Sequence, residues 1–215
     1  MADYKKSILY SERALAINKK SLGEDHPDVA ASLNNIGEAW RVLGEYEKAI
    51  GYYERALEID KKAFGDQHPD VAIDLNNIGG AWDSLGEHKK AIGFYEKALE
   101  IDKKALGDQH PKVAIRLNNI GSAWDSLGEY KKAIGLYEKA LEIDKKALGE
   151  QHPNVAIRLN NMALAWNSLG EYEKAIGYYE KALKIFEAKL GANHPHTKTV
   201  KGNMEFAKSM LLMQK

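Results

Sequence analysis

Apolar residues follow two alternating helical patterns along almost the whole chain. In the first pattern they recur at spacings of three or four residues, as on one face of an α-helix: Val29, Leu33, Ile36 and Trp40. Pro27 suits the first turn of such a helix, and Gly44 suits its end. The pattern therefore predicts a helix over residues 27–43, which we name helix A.

The second pattern follows directly and has a broader apolar face. Its apolar stripe consists of Tyr46, Ile50, Tyr53 and Leu57. Ala49, Ala56 and Ala63 lie beside this stripe and allow neighbouring helices to approach closely. A wide apolar face is typical of a helix that is packed on two sides. We predict a helix over residues 46–64, which we name helix B.

Both helical patterns recur every 42 residues. The motif L-N-N-I-G-x-A-W occupies residues 33–40, 75–82 and 117–124, and a relaxed copy occupies residues 159–166. Residues 65–106 and 107–148 differ at only five positions. A fixed period of this size is typical of a solenoid, in which each repeat buries its apolar face against its neighbours.

The register of the repeat predicts one solenoid of five units, each a helix B followed by a helix A. Residues 4–22 align with helix B, and residues 195–213 align with helix A. The approximate bounds of the units are 3–44, 45–86, 87–128, 129–170 and 171–215.

The spacing of the large, small and aromatic residues resembles the tetratricopeptide repeat. The residues that carry this resemblance are Leu33, Ile36, Gly37, Trp40, Ala49, Tyr53 and Ala56. The 42-residue length, with A-L-E-I and G-x-x-H-P-x-V-A, resembles the repeats of kinesin light chains. The last helix departs from the pattern, since Glu205 replaces the glycine and Lys208 the tryptophan. We expect an all-α fold: a right-handed superhelical solenoid of antiparallel helix pairs, with about ten helices.

Composition removes several classes of function. The 31 basic and 31 acidic residues balance, which gives no electrostatic reason to expect nucleic acid or an anionic membrane as a partner. Cysteine is absent, and no apolar run approaches the length of a membrane span. We expect a soluble, cytoplasmic protein without a cofactor.

Two sets of polar residues could suggest chemistry. A His-Pro pair recurs once per repeat, and histidines separated by a helix-packing distance of about 8–10 Å cannot share one zinc ion. We interpret them as polar residues at helix starts.

Asp60, Asp102 and Asp144 project near the apolar side of helix B, where we expect contacts to the next loop. No catalytic or phosphate-binding motif is present, so we predict that the protein is not an enzyme.

The outward face of helix A is the best candidate for binding. Stacked A helices would align Ala31 with an apolar row, flanked by pairs of asparagines: Ile73, Ile115 and Ile157, with Asn34, Asn35, Asn76, Asn77, Asn118, Asn119, Asn160 and Asn161. Asparagine both donates and accepts hydrogen bonds, so such a ladder can bind the backbone of an extended peptide. The family resemblance implies that a peptide or partner protein binds on this concave face. In the alternative interpretation, the asparagines merely bond between adjacent A helices.

The two ends of the chain suggest self-association. The first helix is a helix B without a preceding A, and the last is a helix A without a following B. The outer row of the last helix is apolar, with Phe206, Met210 and Met213. We expect weak head-to-tail association. The alternative to a peptide-binding scaffold is therefore a structural or self-assembling array without a dedicated ligand, including a consensus-like designed one.

Overall fold

The computed structural model describes residues 2–214, which form ten α-helices and no strand. The odd-numbered helices are of type B: α1 (Ala2–Leu22), α3 (Tyr46–Phe64), α5 (His88–Leu106), α7 (Tyr130–Leu148) and α9 (Tyr172–Leu190). The even-numbered helices are of type A: α2 (Pro27–Val42), α4 (Pro69–Ser84), α6 (Pro111–Ser126), α8 (Pro153–Ser168) and α10 (Pro195–Met213). The all-α prediction and the alternation of the two helix types are confirmed.

The chain divides into two compact units. Unit 1 is Met1–Gly107 and contains α1 to α5, whereas unit 2 is Asp108–Lys215 and contains α6 to α10. Within each unit, consecutive helices pack against each other, and neighbouring A helices also touch. The prediction that all five repeats form one solenoid domain stays a prediction.

The His-Pro element begins each A helix. The Nδ1 atom of His26 accepts a hydrogen bond from the backbone N–H of Asp28 at 3.2 Å, and the other four His-Pro elements repeat this bond at 3.1–3.2 Å. This bond satisfies one of the unpaired donors of the first turn. The interpretation of these histidines as helix-start residues is confirmed. At the other end of the helix, Gly44 adopts the left-handed conformation expected after a helix, with φ of 82°.

A glycine on helix A lets the tyrosine of helix B approach closely. A Cβ atom added to Gly37 would lie 2.6 Å from the ring of Tyr53, and one added to Gly121 would lie 2.7 Å from the ring of Tyr137. Tyr53 is 1 % exposed, and Ala49 beside it is fully buried. In these two pairs the tyrosine ring therefore occupies the space that a Cβ atom on helix A would need.

The tryptophans lie at the edge of this packing. Trp40 is half-buried against Ala49, Ile50 and Tyr53, and the Nζ atom of Lys48 lies 4.5 Å from the centre of its ring. The same cation–π contact recurs at Trp82, Trp124 and Trp166. The lysine covers the face of the indole that the core leaves exposed, which is a favourable arrangement.

None of the helices within residues 2–214 combines the length and the apolar character that crossing a membrane requires.

Two glycine substitutions in unit 2 test the packing of the helix pair. Gly121→Ala places a methyl group against the Tyr137 ring and should lower the free energy of unfolding by about 1–3 kcal/mol. Gly135 on α7 has open space around it, so Gly135→Ala should raise that free energy by about 0.5–1 kcal/mol through helix propensity. Urea unfolding of both variants checks this. Equal midpoints would contradict the proposed role of the Gly121–Tyr137 contact.

Candidate functional site

The candidate residues lie on the outward face of the A helices. The isoleucines are accessible to solvent: Ile115 is 38 % exposed, and Ile73 and Ile157 are half-buried. Asn35 is exposed, and the other seven asparagines are half-buried. Within each unit, this surface therefore offers accessible apolar and amide groups side by side.

Some of the asparagines bond between adjacent A helices. In unit 1, Asn77 Nδ2 donates to Asn34 Oδ1 at 3.4 Å. In unit 2, Asn161 Nδ2 donates to Asn118 Oδ1 at 2.9 Å, and Asn160 Nδ2 donates to Asn161 Oδ1 at 3.4 Å. The hydrogen bonds between adjacent A helices, which the alternative interpretation of the asparagines expects, are thus present. An asparagine side chain has two N–H donors and two acceptor sites, so one such bond does not exhaust its capacity. The peptide-binding role of these residues stays a prediction.

Within the two units, a second set of contacts joins a helix B to the helix A that follows it, between positions fourteen residues apart. Asn18 Nδ2 donates to Ser32 Oγ at 3.1 Å. Arg158 Nε donates to Asp144 Oδ2 at 3.0 Å, with both side chains buried. The equivalent Phe186 and Val200 share one apolar cluster. The expectation that Asp144 contacts the next loop is therefore wrong, because its partner lies on the next helix.

In unit 1, the equivalent junction, the contact between helix α3 and the helix α4 that follows it, brings two acids together. Asp60 is 5 % exposed and Asp74 is fully buried. Asp74 Oδ1 accepts a hydrogen bond from Asn34 Nδ2 at 2.5 Å. The other oxygen of Asp74, Oδ2, has no hydrogen-bond partner, and neither has Oδ1 of Asp60. Buried negative charge is costly when no cation balances it. The contact between Asp60 and Asp74 lacks the balancing positive charge that Arg158 provides to Asp144.

Burial favours the protonated form of both carboxyl groups. It raises the pKa of Asp74 to about 8, with a further contribution from the charge of Asp60, although the hydrogen bond from Asn34 acts in the opposite direction. Burial likewise raises the pKa of Asp60, whereas a hydrogen bond between the two carboxyl groups lowers the pKa of Asp60 and raises that of Asp74. At the junction in unit 2, burial raises the pKa of Asp144 as well, but the Arg158 guanidinium opposes this shift.

The acid pair lines a cavity of about 360 Å³ on the helix-A face of unit 1. The full lining consists of Pro27, Asp28, Ala31, Asn34, Asn35, Asp60, Asp70, Ile73 and Asp74. The cavity thus joins part of the predicted binding face to a group of carboxylic acids. The pairing of Asp60 with Asp74 was not predicted from the sequence. The available signal was the acid at position 74, where the next two repeats carry Arg116 and Arg158.

The outer row of α10 is exposed. Phe206 is 55 % exposed and Met213 is 80 % exposed, whereas Met210 is half-buried. Val200 and Met204 on the same helix are buried against α9 and α8. The self-association role of the exposed residues stays a prediction.

No group of three or more His, Cys, Asp or Glu side chains within residues 2–214 is arranged to hold a metal ion.

Asp74→Asn tests the cost of the acid pair. Burial raises the pKa of Asp74 from about 4 in the unfolded chain to about 8 in the folded one, so stability is lost as the pH rises between these values. Asparagine does not ionise. The variant should therefore gain stability over the wild type from pH 4 to pH 8, by several kcal/mol at most (about 1.4 kcal/mol for each pKa unit), and no more above pH 8. Urea unfolding at several pH values measures this gain.

The control is Asp66→Asn, which removes the same charge from an exposed side chain of unit 1. It should change stability little at any pH. A gain for Asp74→Asn that does not vary with pH would contradict the buried ionisation.

Comparisons with known proteins agree with this architecture. A family model described as tetratricopeptide repeat matches residues 39–104, 84–146 and 125–188, and a second with the same description matches residues 10–64. No curated protein matches the chain.

Solved structures resemble the fold over most of the chain at low sequence identity. BtubC (BKLC) from P. vanneervenii is 23% identical with a TM-score of 0.79, over 98% of this chain and 82% of that one. A putative kinesin light chain from Podosopora anserina with nearly identical TPR-like repeats is 22% identical with a TM-score of 0.70, over 87% of this chain and 89% of that one. A second crystal structure of that protein, in a substituted form, gives 22% identity and a TM-score of 0.73, over 88% and 89% of the two chains. The repeat motif, the ten helices and the family match together show that the chain belongs to the tetratricopeptide repeat family.

Proposed function

We propose that the protein is a non-enzymatic interaction scaffold that binds an extended peptide on the outward face of its A helices. Tetratricopeptide repeats generally mediate interactions between proteins. The observation that carries the proposal is the combination of accessible isoleucines and half-buried asparagines at the same positions of successive A helices. Amide groups bind a peptide backbone without selecting its side chains, and the isoleucines add apolar contacts.

The bonds between asparagines support this proposal rather than oppose it. Asn161 uses one of its N–H groups towards Asn118, which fixes the orientation of the amide before a ligand arrives. Polar groups that are held in place lose less conformational entropy on binding. The same amide can therefore bond to a neighbouring helix and still present its second N–H group to a peptide.

Peptide selection followed by two substitutions tests the proposal. Peptides chosen from a display library for binding to the wild type should bind less tightly to Asn77→Ala or Asn161→Ala. The expected loss is about 0.5–1.5 kcal/mol for each hydrogen bond removed, measured by calorimetry. The two variants test unit 1 and unit 2 separately.

Matched controls are Glu96→Ala in α5 and Glu138→Ala in α7, at exposed positions of helix B in the same two units. They should leave affinity unchanged. If the asparagine variants keep both their helical content and the full affinity, the assignment of the binding face is wrong.

We propose self-association of the chain as a second candidate function. The observation that favours it is the exposed apolar row on α10, together with exposed apolar residues on α1: Leu9, Tyr10 and Ile17. The helix A of one copy could pack on the helix B of another, as A and B helices do within each unit. A heterologous contact of this kind need not close into a ring.

Light scattering over a wide concentration range tests this second candidate. The average mass should rise with concentration, and Phe206→Glu should suppress the rise because it places a charge in the apolar contact. Glu205→Gln, at the adjacent exposed position, is the control and should associate like the wild type. A constant monomer mass for the wild type would exclude the candidate.

A further inference from the structure

The cavity of unit 1 is where two neighbouring repeats differ most in charge. Of the five differences between residues 65–106 and 107–148, two exchange an acid for a base: Asp70 for Lys112 and Asp74 for Arg116. Both acids line the cavity. The other three differences, at Gly80, His88 and Phe94, do not change the formal charge with histidine neutral, so the change of charge between these repeats lies at two residues that line the cavity.

The equivalent contact in unit 2, between α7 and α8, shows which group pairs with a buried aspartate at this position. There the guanidinium of Arg158 lies against Asp144, with the side chains 6 % and 0 % exposed. Oδ1 of Asp144 has no hydrogen-bond partner of its own, but the guanidinium balances the charge of the carboxylate. In unit 1 a second carboxyl group occupies the position of that guanidinium. Asp60 and Asp74 both line the cavity, the two acids face each other, and each has one buried oxygen without a hydrogen-bond partner.

We propose that this cavity binds the guanidinium group of an arginine side chain from a partner peptide. The ligand thereby supplies from outside the cation that Arg158 supplies within unit 2. The inference deepens the proposed function and rests on it, since the arginine belongs to the peptide held on the helix-A face.

The buried end of the cavity suits a guanidinium group. Asp60 and Asp74 lie there together, and a planar guanidinium can donate hydrogen bonds to both carboxyl groups at once. The unpartnered oxygens, Oδ1 of Asp60 and Oδ2 of Asp74, are the acceptors that such a ligand would satisfy.

The rest of the lining suits the remainder of an arginine residue. Ala31 and Ile73 are apolar and can contact the methylene stem. Asn34 and Asn35 lie beside them and can bond the peptide backbone. A cavity of about 360 Å³ is near the lower end of the range for ligand sites, as expected for one side chain.

The charge balance of the occupied site is favourable. A guanidinium balances one carboxylate charge of the acid pair, so the cost of burying that charge falls. The titratable groups around the cavity are Asp28 on α2, Asp60 on α3, and Asp70 and Asp74 on α4, with His68 next to Asp60. Ionisation of the acid pair adds the negative charge that attracts a guanidinium. Affinity for a guanidinium should therefore rise as the pH increases towards 8.

The experiment uses a single-residue probe. N-acetyl-arginine amide is titrated into the full chain labelled with ¹⁵N, and the backbone amide shifts are followed by NMR. We expect saturable shifts centred on Ala31, Asn34 and Ile73, with binding at least about tenfold tighter than that of N-acetyl-glutamine amide. Raising the pH from 6 to 8 should strengthen the binding of the arginine probe.

Asp74→Arg provides the decisive variant. It places at position 74 the residue found at position 158, so the site should be filled internally and the shifts should vanish. Asp66→Arg makes the same change of charge at an exposed position and should bind like the wild type. If Asp74→Arg does not fold, Asp74→Asn takes its place and should weaken binding about tenfold. Equal binding of the two probes, unchanged binding to the position-74 variants or no saturable shift would overturn the inference.

The outcomes separate this inference from the proposed function. One result would overturn the cation site alone. In it, the selected peptides bind less tightly to Asn161→Ala but equally well to Asp74→Arg, and the arginine probe causes no saturable shifts. Saturable binding of the arginine probe to a chain that selects no peptide would overturn the peptide-binding proposal alone.

Discussion

The contact between the glycine of helix A and the tyrosine ring of helix B sets the spacing within a helix pair. Gly37 meets Tyr53 and Gly121 meets Tyr137 at distances that leave no room for a Cβ atom. Glycine lowers helix propensity by about 1 kcal/mol, so its presence in mid-helix is explained by the burial of a large aromatic ring. In the last of these pairs an alanine stands at the glycine position: Ala163 packs in one cluster with Tyr179, whose buried hydroxyl has no hydrogen-bond partner.

The junctions between successive pairs, by contrast, vary in chemistry. An amide meets a hydroxyl at Asn18–Ser32, a carboxylate meets a guanidinium at Asp144–Arg158, and two apolar groups meet at Phe186–Val200. Each of these combinations joins groups that attract or pack well together. Only at Asp60–Asp74, among the junctions inside the two described units, do two acids meet. The framework therefore tolerates diverse junctions, and the exception coincides with a cavity on the helix-A face.

Much of the fold could be predicted from the sequence because the repeat gives each signal several times. The bounds of α3 agree with the prediction to the residue, since Tyr46 and Gly65 bracket one continuous apolar stripe. The acid pair could not be found in this way. Periodicity shows which face a residue occupies within its own helix, but Asp60 and Asp74 lie on different helices. Their contact follows from the crossing of α3 and α4, which a one-dimensional pattern does not contain. The donor and acceptor of each hydrogen bond between asparagines could not be predicted for the same reason, since amide orientation depends on the neighbouring helix.

The unequal junctions also have a consequence for how the protein opens. In a linear array, stability is close to a sum of repeat and interface terms, and local opening begins where an interface term is smallest. The acid pair lies between α3 and α4 without a balancing cation, whereas an ion pair joins α7 to α8. We therefore expect the interface between α3 and α4 to be the weaker of the two. Backbone amides near Asp60 and Asp74 would then exchange their hydrogens through partial separation of the two helices, without unfolding of the whole chain. Nearly identical repeats can in this way differ in their local dynamics through a single side chain.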